Sequence, residues 1–247
     1  MRIAGSVLLW ALSAGFASAE TSITINGSTI QVSGTSITVT NETITVDGKN
    51  LSGSIVEGSG KAATESRTPG DFDELQLNIA ADITVTKGET TRCVVTADDN
   101  ILPLVLTESL DGVLRISAKQ SFVSRRRVRI ALQVPLLVDV AVNGSGRITL
   151  AAVTHEVLTL AISGSGDISA NGKVSKLTAT INGSGDLHAA DLEAETVALT
   201  VNGSGNADVY ATASLTAEVN GSGAVRYSGA PPNVRSTVRG SGGIAGN

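Results

Sequence analysis

The chain predicts an all-β fold whose second half is a parallel β-helix, or solenoid, entered through an irregular β-rich amino-terminal part. Three observations carry this. Gly-Ser-Gly recurs with its first glycine at Gly144, Gly164, Gly183, Gly203, Gly221 and Gly240, at intervals of 20, 19, 20, 18 and 19 residues. Each copy follows a run in which apolar and polar residues alternate, the period-two mark of a strand with one buried face. Beyond the opening segment, nothing sustains the apolar period of a helix.

The alternating runs fall at residues 138–143, 158–163, 177–182, 197–202, 215–220 and 234–239. If each period is one coil, equivalent strands stack about 4.8 Å apart. Val142, Ile162, Ile181, Val201, Val219 and Val238 then form one inward ladder. A single coil cannot bury that face, but stacked neighbours can. Glycine at the corner permits positive φ and close approach of coils, and the middle serine is placed to hydrogen-bond backbone. A second short strand follows each corner, with Ile148 and Leu150, Ile168 and Ala170, or Leu187 and Ala189. The varying interval must be absorbed on a third side, around residues 151–156 or 171–175.

Before the regular coils, the elements read in order as follows. Residues 1–19 form a secretory leader: Arg2, an apolar run from Ile3 to Phe16, and the small-residue site Ala17-Ser18-Ala19. The apolar run is shorter than the ~20 residues that span a bilayer, so cleavage before Glu20 is expected, with no membrane segment afterwards. Residues 20–48 carry a seven-residue repeat: Ile23-Thr-Ile25, Ile30-Gln-Val32, Ile37-Thr-Val39 and Ile44-Thr-Val46. Three units approximate one later coil, so each unit is read as one side of a small three-sided coil, against a meander of hairpins or a Ser/Thr-rich stalk. Residues 49–66, with Gly53, Gly58 and Gly60, read as a flexible linker. Residues 67–137 alternate without Gly-Ser-Gly corners, as irregular coils or as a cap on the first regular coil. Residues 138–247 are the regular helix. Its carboxy-terminal end is expected to be open and guarded by Arg226, Arg235 and Arg239, since edges are protected by long charged side chains. Only residues 243–247 follow the last corner, so no transmembrane barrel is expected there.

Composition narrows the function. Charged residues are 17% of the 247, aromatics 2%, and the net charge is −5. Few rings are available for sugar grooves or base-stacking platforms, and the charge argues against nucleic acid as a partner. The single cysteine, Cys93, lies in an alternating run and reads as a small apolar strand residue. His155 and His188 are the only histidines, so a zinc site of the usual kind is not expected.

Several segments resemble one family. Gly70-Asp71-Phe72-Asp73-Glu74-Leu75, Ala81-Asp82-Ile83-Thr84-Val85, Asp99-Asn100-Ile101-Leu102-Pro103, Asp111-Gly112-Val113-Leu114-Arg115-Ile116 and the serial Gly-Ser-Gly-Asp-Ile and Gly-Ser-Gly-Asp-Leu corners look like the "putative auto-transporter adhesin" head GIN domain. The resemblance runs from about Arg67 to Gly242. It implies a right-handed β-helix and export in bacteria. The aspartate after the corner is kept at Asp167 and Asp186 and replaced by Arg147, Asn206, Ala224 and Gly243.

Candidate chemistry is sparse. Asp167 and Asp186 should fall on adjacent coils about 5 Å apart, the spacing of a retaining glycosidase pair. Short uniform coils leave no cleft walls, however, and the plainer reading is turn carboxylates capping backbone N–H groups. The corners also resemble calcium-binding nonapeptide turns, but the period is too long and only two of them carry aspartate. Asn143, Asn182, Asn202 and Asn220, which open Asn-x-Ser sequons as Asn26 does, are expected to form a side-chain ladder along the stack. Arg125-Arg126-Arg127-Val128-Arg129 is a basic run that reads as a solvated loop entering a strand. No catalytic, cofactor-binding or metal residue is assigned. The sequence reads as an exported, non-enzymatic structural or surface-interaction protein of the envelope, periplasmic, surface-displayed or secreted. The alternative is a carbohydrate-binding or carbohydrate-active envelope protein. Its expected partners are envelope polysaccharide or a surface protein, and its expected state a monomer or small oligomer.

Overall fold

The computed structural model describes residues 55–246 and, between 21 and 50, five short strands. The leader assigned to 1–19 lies outside the described residues. The chain divides into two compact units, residues 1–54 and 55–247.

In the first unit, Thr21–Ile25 pairs antiparallel with Ser28–Val32, with Ile23 opposite Ile30. Ile37–Val39, Ile44–Val46 and Lys49–Asn50 form a three-stranded antiparallel sheet. These are hairpins, not sides of a coil, which corrects the three-sided reading. The physical reason is connection length. A parallel pair needs a crossover of a dozen or more residues, whereas only two to four residues of sequence separate these paired strands.

The second unit is a stack of coils with two broad faces. On the face before each corner, Glu74–Leu77 pairs in parallel with Asp139–Gly144, and the ladder continues through residues 158–164, 177–183, 197–203 and 214–221 to Asn233–Gly240. On the face after it, Ala81–Lys87 pairs in parallel with residues 147–151, and the ladder continues through 167–171, 187–189 and 207–210 to Ala224–Ser228 and Gly243–Gly246.

Segment 67–137 is both of the things expected of it. It supplies two further coils, at 74–87 and 113–134, in parallel register. Together with Ala62–Arg67 from the preceding segment it also forms a cap. Val105–Leu110 runs antiparallel to Val113–Ala118 on one face, and on the other Arg92–Asp98 runs antiparallel to both Val128–Val134 and Ala62–Arg67. Order in space departs from order in sequence: the 74–87 coil lies between the later 113–134 coil and the first Gly-Ser-Gly coil. The linker reading of 49–66 fails in its second half, because Val56–Glu57 pairs with Phe122–Val123 and Ala62–Arg67 closes a sheet. Only Ala63 and Arg67 of this strand are half-buried and Thr64–Ser66 are exposed, so no apolar alternation marks it in the sequence. The Arg67 guanidinium locks this strand by donating to the carbonyls of Leu102 (3.0 Å) and Val105 (2.6 Å).

The inward ladder is as expected through five coils. Val142, Ile162, Ile181, Val201 and Val219 are all 1% exposed or less, while Val238 in the last coil is 41% exposed. Burial of each such side chain is worth about 1.5–3 kcal/mol.

Both glycines of a corner are required. Gly183 has φ +134, and a Cβ there would lie 2.3 Å from the Gly164 carbonyl oxygen; one on Gly185 would lie 2.0 Å from that of Gly166. That approach lets the N–H groups of Ser184 (2.8 Å) and Gly185 (3.1 Å) donate to the Gly164 carbonyl. Serine therefore serves the corner through its backbone, not its hydroxyl as expected. The variable interval is absorbed where predicted: register shifts fall between Leu150 and Val153, between Ser169 and Asn171, and between Ala189 and Glu193.

Candidate interaction surface

The repeat places like residues above one another, so outward side chains form stripes along the stack. The first stripe precedes the corners. Asn143 Nδ2 donates to Asn78 Oδ1 (2.8 Å), Asn202 Nδ2 to Asn182 Oδ1 (2.9 Å), and Asn220 Nδ2 to Asn202 Oδ1 (3.0 Å). The predicted amide ladder exists, with Ser163 interrupting it and Arg239 donating to Asn220 Oδ1 at its end (3.3 Å). Asn78 was missed. Its signal was available, since Leu75-Gln-Leu77-Asn78 repeats the pattern Val140-Ala-Val142-Asn143.

The second stripe follows the corners and alternates in charge. Arg127 donates to Asp82 (2.7 Å) and Arg147 to Asp167 (2.8 Å). The hydrogen bond and charge of Asp167 raise the Arg147 pKa. Asp167 Oδ1 accepts the Asp186 N–H at 3.4 Å, and Asp186 Oδ1 accepts both the N–H and the side-chain amide of Asn206 at 2.9 Å. Asn206 Oδ1 in turn accepts the Ala224 N–H at 3.2 Å. Asp167 and Asp186 thus cap backbone one coil on, as in the plainer reading.

The basic run is also tied down. Arg126 lies 3.5 Å from the Asp98 carboxylate, which is 1% exposed and accepts the Ser124 hydroxyl at 2.5 Å. Beside it, Ser59 Oγ donates to Asp99 (2.5 Å) and the Ser59 N–H to Asn100 Oδ1 (2.9 Å). The Ser59 bond, aided by Lys61, holds the Asp99 pKa below its ordinary value. Gly58 is fixed by this clasp, because a Cβ there would meet Asp98 Oδ2 at 2.0 Å. Gly58-Ser59-Gly60, within the segment read as a linker, is therefore a latch on the cap.

The third stripe is the outer surface of the face before the corners. Thr159, Ala161, Thr178, Thr180, Ala198 and Thr200 lie on it, half-exposed and uncharged, with Asp139 and Glu74 at one side and Glu218 and Arg239 at the other. Asp139 lies in register beside Glu74. Burial, then the Glu74 charge, raises the Asp139 pKa.

The remaining candidates do not converge on a site. Cys93 is 0% exposed, and burial raises its pKa to about 11. His155 borders an apolar recess of about 40 Å³ lined by Val85, Leu137, Leu150 and Val153, far below the 300–1,000 Å³ of small-molecule pockets. Burial lowers the His155 pKa. His188 is exposed, 3.9 Å from Asp208. Among the described residues, no three His, Cys, Asp or Glu side chains gather as metal ligands, and no helix is long and apolar enough to cross a membrane.

The family model described as "Putative auto-transporter adhesin, head GIN domain" matches residues 71–231. A crystal structure of a "putative adhesin" from Bacteroides fragilis is similar at TM-score 0.65 and 22% identity, covering 78% of this chain and 100% of the other. A "putative lipid binding protein" from Parabacteroides distasonis is similar at TM-score 0.53 and 23% identity, covering 78% and 99%. A "putative adhesin" from Parabacteroides merdae gives TM-score 0.54 and 21% identity, covering 78% and 98%. These likenesses show a shared fold. No curated protein matches the chain.

Proposed function

The chain belongs to the family described as "putative auto-transporter adhesin, head GIN domain", and from that premise we propose that it is an exported, non-enzymatic structural or surface-interaction protein of the bacterial envelope. The observation that carries this reading is how the outward polar groups are used. Asp167 and Asp186, the one carboxylate pair the sequence put forward for catalysis, cap backbone N–H groups, and the amides bond to one another along the stack. Beside these stripes lies an uncharged, partly exposed Thr/Ala face, suited to contact over an area and not to chemistry at a point.

The test is cell fractionation with surface-protease shaving, followed by binding and hydrolysis assays across a polysaccharide panel. Export, with no hydrolysis, is the expected result. Retention in the cytoplasm would overturn export. Turnover of a polysaccharide would favour the carbohydrate-active alternative.

A further inference from the structure

The corners at 143, 182 and 202 carry one local sequence but not one environment. Val142-Asn143-Gly144-Ser145-Gly146, Ile181-Asn182-Gly183-Ser184-Gly185 and Val201-Asn202-Gly203-Ser204-Gly205 differ only in Val or Ile at the first position. In an Asn-Gly pair the glycine nitrogen reaches the preceding side-chain amide with least hindrance, because glycine has no Cβ and the widest choice of backbone angles. Whether it does so in a folded chain depends on how firmly the peptide between the two residues is held.

That peptide is clamped unequally. Asn182-Gly183 pairs with Ser163-Gly164 on one side and Asn202-Gly203 on the other. Asn202-Gly203 lies likewise between Asn182-Gly183 and Asn220-Gly221. Among the described residues, Asn143-Gly144 pairs with Ser163-Gly164 alone, because the strand on its other side, Glu74–Leu77, ends opposite Val142. The packing agrees. A Cβ on Gly183 or Gly203 would lie 2.3 Å from a glycine carbonyl oxygen one coil back, whereas one on Gly144 would meet nothing within 4 Å. The turn beside Gly144 is the irregular one of the 74–87 coil, and its N–H groups are directed elsewhere: Asn78 donates to the Ile116 carbonyl (2.8 Å) and Ala81 to that of Ile79 (3.0 Å). The contact across this gap is the side-chain bond from Asn143 Nδ2 to Asn78 Oδ1 (2.8 Å).

We propose that Asn143-Gly144 is a site of spontaneous covalent modification, where the folded chain closes a succinimide and converts the asparagine to aspartate and isoaspartate, while the stacked corners at Asn182 and Asn202 stay intact. The Gly144 nitrogen gives its proton to hydroxide and attacks Cγ of Asn143. The new N–Cγ bond closes a five-membered ring, the Cγ–Nδ2 bond breaks, and Nδ2 leaves as ammonia with a proton from water. Water then opens the ring at either carbonyl. No electrons change hands, and the sum is amide plus water to carboxyl plus ammonia. Ring closure requires the peptide to turn out of its ladder, which opens pairing on one side at Gly144 and on both sides at Gly183 or Gly203. The product falls at the joint between the 74–87 coil and the first regular corner. A carboxylate there no longer donates to Asn78 Oδ1, and isoaspartate lengthens the main chain by one methylene.

The test incubates the full parent chain, folded, at mildly alkaline pH, and follows each corner by peptide mass spectrometry. Asn143 should convert at least about tenfold faster than Asn182 and Asn202, because a second set of ladder bonds must open at those two. In urea the neighbouring coils are gone and the local sequences are alike, so the three should convert at one rate. Asn143→Gln should abolish the fast conversion, since glutamine would have to close a larger ring, and leave the other two corners at their slow rates with unchanged circular dichroism. Equal rates at the three corners of the folded chain, or a lead for Asn182 or Asn202, would overturn the proposal. So would a lead for Asn143 that persists undiminished in urea, which would put its cause in the local sequence and not in the stack. An Asn143 left intact by an incubation that converts all three in urea would overturn it too.

Discussion

Replacing Val201 by aspartate should be far more damaging than the same change at Thr200, one residue earlier on the same strand. Val201 is 0% exposed, stacked between Ile181 and Val219. Its substitution forfeits about 1.5 kcal/mol of burial and leaves a carboxylate among apolar ladder residues, at a cost of several kcal/mol. The sum exceeds about 4 kcal/mol, in the rare tail of single substitutions and a large part of an ordinary domain's 5–15 kcal/mol. Thr200 is half-exposed between Thr180 and Glu218. There a carboxylate meets water and one like charge, a cost of up to about 1 kcal/mol. With a urea slope of about 3 kcal/mol per M, Val201→Asp should lower the unfolding midpoint by more than about 1.3 M, and Thr200→Asp by about 0.3 M or less. Equal shifts would refute the assignment of inward and outward positions on this strand.

Other outcomes follow from the same structure. Gly183→Ala should destabilise by several kcal/mol in urea melts, because its Cβ would lie 2.3 Å from the Gly164 oxygen at φ +134, whereas Ser184→Ala should stay within about 0.5 kcal/mol. The raised Asp139 pKa means that the folded state holds that proton more tightly than the unfolded one. Stability is therefore lost as pH rises through the ordinary carboxylate range towards the folded pKa. Asp139→Asn should raise the melting temperature at pH 7, and the gain should vanish once acid protonates the parent carboxyl. Cys93, with its pKa near 11, should resist alkylation at pH 8 in the folded chain and react at once in urea, as mass spectrometry would show.

What could be read in the sequence was whatever repeats. Gly183 and Gly185 announce a corner, Val201 its ladder, and Asn202 an amide stripe, because each recurs at one phase of the same period. Where the phase was broken, reading failed. Ala62–Arg67 is a strand by pairing and not by pattern, since what holds it is the bond network of Arg67 and the Ser59–Asp99 clasp, contacts of about 40 residues' separation. The hairpins of residues 21–50 share their apolar period with a hypothetical small coil, and only connection length, not periodicity, distinguishes the two. The post-corner stripe was partly legible: Asp167 and Asp186 stood out, but their alternation with Arg147, Asp82 and Arg127 needed the stacking order.

The uneven stacking order sets where the molecule can change length. Between Gly144 and Gly240, every coil presents small or aliphatic inward residues and the same Gly-Ser-Gly corner to its neighbours. Excising residues 183–202 should let the coil that ends at residue 182 continue directly into Gly203, giving a protein shorter by one strand spacing, about 4.8 Å. Small-angle scattering can read that change. The 74–87 coil allows no such edit. It is wedged between coils supplied by later sequence, so its loss would separate Val113–Ala118 from Asp139–Gly144 and remove the floor on which the regular coils stand. Growth and shrinkage by whole repeats are thus confined to one stretch of this chain, and the capped end serves as the fixed origin from which its length is counted.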